Sequence, residues 1–578
     1  MEGASGLKAK RPKARCLLSR CRKRGWCNMR AIEAALRGLS AQGIRYVFGI
    51  PAGSINALYD ALLDMPELQP IVVKHETSAG YMASAYTRIT GIPSICVGSS
   101  GPGATNLVTP AAHAWREKLP VLFITGAVPT SKLGKGGAQE LDAEPIFAPV
   151  TKLSTTVLDA KLLPQTIAEA LHTAQSGIPG PVHVAIPIDI QMTDIGEGAA
   201  AAFPYQPPLQ LQAPDPALVV EAGRLVLTAG ERGALLLGHG AKSAAAAVRR
   251  LAETTGWPVA TTPRGKGAFP EDHPLSLGVY GLAGNAQAVE HLNGPMPEVL
   301  LAIGTSLGEL ATGNWAPELV RGKRLIHIDY DVAEFDKMYK AALNLCGDAR
   351  QSVEALLDVI KPVENSDWPL VADQSAAALE EEASLWNTQA AICKIGAFAP
   401  DNARFYLDIG EFMTYSLQNL RVRDTQDFDI DINFGAMGSG IGGALGAQLA
   451  EPDRPVICIT GDGCFFMHGM EVLTAKEYGL PVLFFVINNA RLGMVYHGHM
   501  LQYKRCLNDF SQNRTDIAAL AATLGLRYAQ AASHEQFQAE HMADWLEHRE
   551  PMVVEIVVDG NEVPPMGERV KFLQGATY

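Results

Sequence analysis

Three α/β domains, each built on a doubly wound parallel sheet, are predicted by three features of this 578-residue sequence. Short apolar runs alternate with amphipathic helical stretches, the pattern of βαβ units. Two stretches of altered composition, 193–216 and 361–390, divide that alternation into three sets. Length agrees, since roughly 150 residues per domain gives three or four. Hydrophobic residues make up 47% and charged residues 19%, a globular composition with many turns. No apolar run approaches the roughly 20 residues needed to span a bilayer, so no membrane role is expected.

The first set occupies 29–192. It opens on the helical pattern MRAIEAALRGLSAQG and continues through the runs YVFGIP, IVVKHE, SICVGSS, VLFITG and VHVAIPIDIQ as strands. The second, 217–360, has ALLLGHGA, PVATT, VLLAIG and RLIHIDY. The third, 391–578, has FYLDIG, PVICITGDG, VLFFVINN and MVVEIVVDG, in a layout like that of the first. Ahead of all three, residues 1–28 carry nine Lys/Arg against one acid, Glu2, while the whole chain is at −13. This tail reads as an unstructured extension with Met29 opening the folded part, and organellar targeting is the weaker reading. The acidic body excludes an electrostatic nucleic-acid footprint. Cys16, Cys21 and Cys27 lie in the tail, and the other six cysteines form no CxxC pair. That predicts a reducing, cytoplasmic setting and no zinc site.

The strongest chemical signal is ICITGDGCFFMHGMEVLTAKEYGLPVLFFVINNARLGM. One strand runs into Gly461-Asp462-Gly463 and a second ends at Asn488-Asn489. Ligands of parallel sheets bind at the carboxyl ends of strands. A carboxylate and an amide presented there suit a hard cation such as Mg²⁺, which takes phosphate oxygens for its remaining positions. The glycines permit close backbone approach, and the following helix offers N–H donors to a diphosphate. A plain strand–turn–helix with a solvated Asp would leave the coincidence of spacing, flanking strands and NN unexplained.

GDG followed by NN at this distance resembles the diphosphate–Mg²⁺ motif of thiamine diphosphate (ThDP) enzymes. FGIPAGSINALYDAL, KHETSAGYMASAYTRITG, SSGPGATNLVT, GIPGPVHVAIPIDIQ and FGAMGSGIGGALGAQLA extend the likeness to the acetohydroxyacid (acetolactate) synthase branch from Met29 onward. The resemblance implies a pyrimidine-binding first domain, a middle domain and a diphosphate-binding third domain. It places the active site between subunits of a homodimer or homotetramer. It also implies metal ligation by the side chains of Asp462 and Asn489 and the backbone carbonyl of Arg491. Pro51, Gly53, Gly435, Met437, Gly461, Gly463 and Met494 would contact the cofactor.

Glu76, in IVVKHETSAG, taken alone is a helix-start carboxylate with a favourable dipole. In the family a glutamate here hydrogen-bonds the aminopyrimidine of the cofactor, which makes Glu76 the expected catalytic carboxylate. By the same resemblance Gly435 and Met437 would grip the aminopyrimidine and Met437 would hold the cofactor bent. GSGIGG, 438–443, also matches a dinucleotide fingerprint. It sits inside a helix-like Gly/Ala stretch with no later acid on a second strand, so its glycines are expected to serve helix packing.

Gln139 lies where the family places a Gln reaching the active site from the partner subunit. The preceding Ala138 replaces a common Phe and suggests room for a larger group. Ser100, Leu492, Tyr496 and His497 complete the expected substrate pocket. His497 and His499 are expected on a loop at its mouth, and His113 is expected to be a packed helix histidine. The middle domain of the synthases holds FAD. The expected arginine after AIG is Thr305 here, so bound FAD is the weaker expectation. The function predicted is a ThDP/Mg²⁺-dependent carboligase acting on a 2-keto acid and a carbonyl acceptor. A decarboxylase or aldehyde lyase on the same scaffold, a catalytically silent binding homologue, and a nicotinamide dehydrogenase resting on GSGIGG are the alternatives.

Overall fold

The structure, a computed structural model, describes residues 29–196, 213–360 and 386–566. The basic tail 1–28 and the reading made of it lie outside the described residues. Three six-stranded sheets, parallel throughout, carry the chain. The first holds β1 (Tyr46–Gly49), β2 (Gln69–Val72), β3 (Ser94–Gly98), β4 (Val121–Ala127), β5 (Ser154–Thr156) and β6 (Val182–Pro187), in the order β2-β1-β3-β4-β6-β5. The second holds β7 (Gly233–Leu237), β8 (Val259–Thr261), β9 (Ser276–Val279), β10 (Val299–Ile303), β11 (Arg324–Asp329) and β12 (Leu343–Cys346), ordered β12-β11-β10-β7-β8-β9. The third holds β13 (Arg404–Leu407), β14 (Asp427–Ile430), β15 (Val456–Gly461), β16 (Leu483–Asn488), β17 (Arg527–Ala531) and β18 (Met552–Val557), ordered β14-β13-β15-β16-β18-β17. The first and third sheets thus share one strand order.

Central strands such as β4, β10 and β15 are buried along their whole length. Helices cover both faces, so these strands read as continuous apolar runs rather than alternating ones. The stretch expected to act as a linker from 193 is anchored at its start. Thr193 O accepts from Ala31 N–H at 2.9 Å, and Ile195 N–H donates to Met29 O at 2.9 Å. At the third domain the helix Thr388–Phe398 begins three residues ahead of the expected 391, capped by Asn387.

The first and third domains share one hydrophobic core, in which Phe48 and Phe123 join Tyr406, Leu445 and Val472. The helices Glu76–Thr90 and Ser439–Ala450 form its centre. A Cβ at Gly446 would lie 2.2 Å from the carbonyl oxygen of Met82, and one at Gly442 would lie 2.8 Å from Tyr81 Cβ. Within GSGIGG, Gly442 therefore serves close helix packing, while Gly440 and Gly443 make room for Asp408 and Tyr406. Where the helices end, the buried Arg88 donates to Asp431 Oδ1 at 2.5 Å and to the hydroxyl of Tyr406 at 2.8 Å. Glu117 accepts from Arg88 and also from Arg264 of the middle domain, so all three domains meet at one ionic cluster. His113 is fully buried in the helix Val108–Arg116, edge-on to Tyr81. Among the described residues no helix is long and apolar enough to cross a membrane.

Candidate active site

The expected metal ligands meet at the carboxyl ends of β15 and β16, which are adjacent in the third sheet. Asp462 is the first residue of the helix Asp462–His468, and its Oδ1 accepts from Gly463 N–H at 2.8 Å. Its Oδ2 is buried without a hydrogen-bond partner among the described residues. Burial pushes this carboxyl up to about 6. Asn489, also buried, accepts at Oδ1 from Arg491 N–H at 3.0 Å. An orphaned carboxylate oxygen beside a carboxamide is a donor set that fits a divalent cation taking oxygen ligands.

A third side chain, missed in the sequence, completes this cluster. Glu411 starts the helix Glu411–Asn419 after β13, the neighbour of β15, and its Oε1 accepts from Asn489 Nδ2. Burial, together with the charge of Asp462, pushes its carboxyl up to about 7. The available signal was the one used for Asp462, an acid just beyond a strand end. Glu411 carries no flanking motif, and its partner lies 78 residues away.

Folded Glu411 holds its proton at pH values between 4.5 and about 7 where the unfolded side chain has lost it. Its contribution to stability therefore falls as pH rises through that window. In metal-free protein Glu411→Gln is expected to melt above the wild type at pH 8, by an amount on the order of 3 kcal/mol, and the gap should close by pH 4.5. Paired thermal scans measure it, and buried histidines act equally in both proteins.

Around these groups gather the expected cofactor residues of the third domain. Gly435, at φ +70°, and Met437 follow β14. A Cβ at Gly463 would lie 3.2 Å from Met437 Cε and 3.1 Å from Leu492 Cδ2, so Met437, Leu492 and the Gly461–Gly463 turn adjoin. Gly461 ends β15, and a Cβ there would lie 2.8 Å from the Phe412 ring. Met494 packs at the edge of the third-domain core. Arg491 turns its guanidinium to Gly560 O at 2.8 Å and over the Tyr496 ring at 4.0 Å. Tyr496 is thereby engaged by Arg491.

Residues 493–503 form a helix, so the expected loop is corrected to Gly493–Tyr503. Glycine at 493 leaves room for the Glu411 carboxylate, which a Cβ there would displace. His497, expected at the pocket mouth, is buried with Nε2 3.6 Å from Glu411 Oε2. His499 points elsewhere, edge-on to Phe510. On a helix, residues two apart do not share a face.

A second group assembles at the carboxyl ends of the first sheet. Glu76, half-buried at the first turn of its helix after β2, accepts from Asn106 Nδ2 at 2.9 Å. Gly103 keeps room for it, since a Cβ there would lie 3.3 Å from Glu76 Oε1. Ser100, expected in the substrate pocket, lies just after β3. Its Oγ donates to Gln139 O at 2.6 Å, and its N–H donates to Ser54 Oγ at 2.8 Å. Ser54 belongs to the 3₁₀ turn Gly53–Ile55 after β1, which Pro51 precedes. Gln139 has φ +61°, and Pro51, Gly53, Ala138 and Gln139 are exposed in the single chain.

In the middle domain the strand order reverses between β7 and β10, where a cleft of about 680 Å³ opens against the first domain. Three cations lining it are held by carboxylates. Lys118 donates to Asp331 at 2.7 Å, Lys337 to Glu334 at 2.6 Å, and Arg264 to Glu117.

Three domains of this kind, two alike in strand order and each presenting a set of polar groups at its strand ends, match known families across the chain. The description "Thiamine pyrophosphate enzyme, N-terminal TPP binding domain" fits residues 29–146, the central domain of the same enzymes fits 224–356, and their C-terminal TPP binding domain fits 408–556. The chain belongs to the thiamine pyrophosphate enzymes, on the acetolactate synthase branch. It is 32% identical to the acetolactate synthase isozyme 1 large subunit of Escherichia coli, over 92% of this chain and 95% of that one. It is 34% identical to an acetolactate synthase of Mycobacterium bovis over 85% and 82% of the two chains. Identity is 32% to the acetolactate synthase large subunit of Corynebacterium glutamicum, over 96% and 91%.

Proposed function

We propose that this ThDP-dependent enzyme is a Mg²⁺-requiring carboligase. It would decarboxylate a 2-keto acid and transfer the acyl-anion equivalent to a second carbonyl. The observation that carries the reading is the buried pair Asp462 and Asn489 at adjacent strand ends, with Asp462 Oδ2 unpartnered. These two side chains and the Arg491 carbonyl would hold the cation, and the cation would anchor a diphosphate at the start of the helix Asp462–His468. When bound, ThDP supplies an electron sink for the carbanion left by decarboxylation.

The chain's own residues orient that chemistry. Glu76, held by Asn106, would exchange a proton through its free carboxylate oxygen with the aminopyrimidine. Gly435 and Met437 would fix the ring, and Ser100, Ala138, Gln139, Leu492 and Tyr496 would bound the substrate space. Gln139 and Ala138 are exposed in one chain, and so are the large apolar side chains Phe466, Met467 and Met470 next to the diphosphate turn. This supports a homodimer, or a tetramer built from it, with the site completed by the partner subunit. A cytoplasmic setting is supported by the six described cysteines, all unpaired. In the middle-domain cleft Lys118, Lys337 and Arg264 face carboxylates while Arg116 and Lys152 line it as well, so FAD stays the weaker reading and no step runs through a flavin.

Incubation with pyruvate, ThDP and Mg²⁺, followed by mass-spectrometric product analysis over a panel of carbonyl acceptors, tests the reading. A C–C coupled product is expected. Acetaldehyde alone, with every acceptor left unreacted, would sink the carboligase assignment in favour of a decarboxylase.

A further inference from the structure

The Mg²⁺–ThDP reading leaves one buried charge unassigned, and the inference drawn from it rests on that reading. Glu411 Oε2 and Asp462 Oδ2 are both buried and both lack a hydrogen-bond partner among the described residues. The residues themselves are only 4% and 3% exposed. Two carboxylates removed from water at one site are costly unless a cation compensates them. Among the described residues no side chain donates a hydrogen bond to either oxygen, and Arg514, whose charge reaches Asp462, donates instead to Val558 O at 3.0 Å. His497 Nε2 stands 3.6 Å from Glu411 Oε2, beyond a normal hydrogen bond, and Arg491 directs Nη1 to Gly560 O and Asn561 and lies over the Tyr496 ring, its charge reaching Glu411 without a hydrogen bond among the described residues. The backbone also makes room for Glu411. A Cβ at 493 would collide with the carboxylate and lie 2.8 Å from Asn489 Nδ2, so a larger residue there would displace both side chains. Through Oε1, Glu411 also holds the carboxamide of Asn489, which orients that residue.

We propose that Glu411 supplies a further carboxylate oxygen to the divalent cation, so that Glu411, Asp462 and Asn489 form a cation site that loads before the diphosphate arrives. Mg²⁺ sites commonly have one or two carboxylates and rely on substrate phosphates for the rest. A second carboxylate gives the protein alone enough negative charge to retain the ion.

Titrating Mn²⁺ into the full chain without ThDP, followed by electron paramagnetic resonance, tests this directly. Wild type is expected to bind one Mn²⁺ that Asp462→Asn does not bind, and Glu411→Gln should weaken that binding tenfold or more. With saturating Mn²⁺, calorimetry should show ThDP binding to both the wild type and Glu411→Gln. Glutamine keeps the shape and can still accept from Asn489, and a melting scan confirms that the variant is folded. Equal Mn²⁺ affinity in wild type and Glu411→Gln, with ThDP bound normally, would overturn the role of Glu411 alone. Failure of the wild type to bind ThDP at any Mn²⁺ concentration would overturn the underlying reading with it.

Discussion

Replacing Glu76 by Gln is expected to cut turnover by about 10²- to 10⁴-fold, while cofactor retention and folding change little. The side chain is half-buried, and its Oε2 already accepts from Asn106 Nδ2 at 2.9 Å. Glutamine has the same shape and can keep that contact through its own carbonyl oxygen, so the packing against Gly103 survives. What glutamine cannot do is gain and lose a proton, the one property the proposed role demands. The structural cost is the lost interaction of a negative charge with the helix N-terminus, about 0.3–1 kcal/mol. A loss of several orders in kcat against a melting temperature nearly unmoved therefore separates a chemical role from a helix-start role. Turnover equal to wild type with the best donor substrate would refute the assignment, because a residue that only caps a helix has no effect on rate.

The central strands were legible because burial on both faces writes them as unbroken apolar runs, as in VLFITGA and VLLAI. The strands not foreseen, β5, β9, β12, β14 and β17, all lie at sheet edges. Ser154–Thr156 is half-buried and polar, so it offers no run to detect. Asp427–Ile430 hides for another reason. Its Asp427 and Asp429 are tolerated within a strand because Arg404 of β13 pairs with both, at 2.9 and 2.5 Å, and that compensation is visible only once the strands are neighbours. The site divides along the same line. Asp462 and Asn489 were readable because each sits in a short local pattern at a strand end. Glu411 was not, because its meaning depends on Asn489 and Gly493 being folded against it. His497 was misplaced as a loop residue because Gly493 ahead of the histidine pair and Gly498 between its members weaken the helical pattern, although Gly493 opens a helix and Gly498 lies within it.

Gly446→Ala is expected to destabilise the protein, although alanine is the better helix former. In an exposed helix the exchange would gain about 1 kcal/mol from propensity. At 446 the new Cβ would stand 2.2 Å from the carbonyl oxygen of Met82 and 2.9 Å from its Cα, atoms of the facing helix backbone that cannot rotate aside. The two helices must separate, which loosens the core that Tyr406 and Leu445 share with Phe48 and Phe123. Overpacking of this kind costs about 3 kcal/mol, so the packing term exceeds the propensity term. Gly396 provides the comparison within the same protein. It lies in the helix Thr388–Phe398, and its added Cβ would meet Leu420 Cδ1 at 3.1 Å, the end of a flexible side chain that can shift by a few tenths of an ångström. Gly396→Ala is therefore expected to be neutral or stabilising. Thermal melting of the two variants beside wild type decides the matter. A Gly446→Ala protein as stable as Gly396→Ala would show that the first and third domains are not held at the close helix contact seen here. Separation of those helices also carries a functional consequence, since Gly438, which precedes the helix Ser439–Ala450, is held by Asp408 at 2.8 Å in the segment that contains Met437. Cofactor retention is expected to fall along with stability in Gly446→Ala and to stay unchanged in Gly396→Ala.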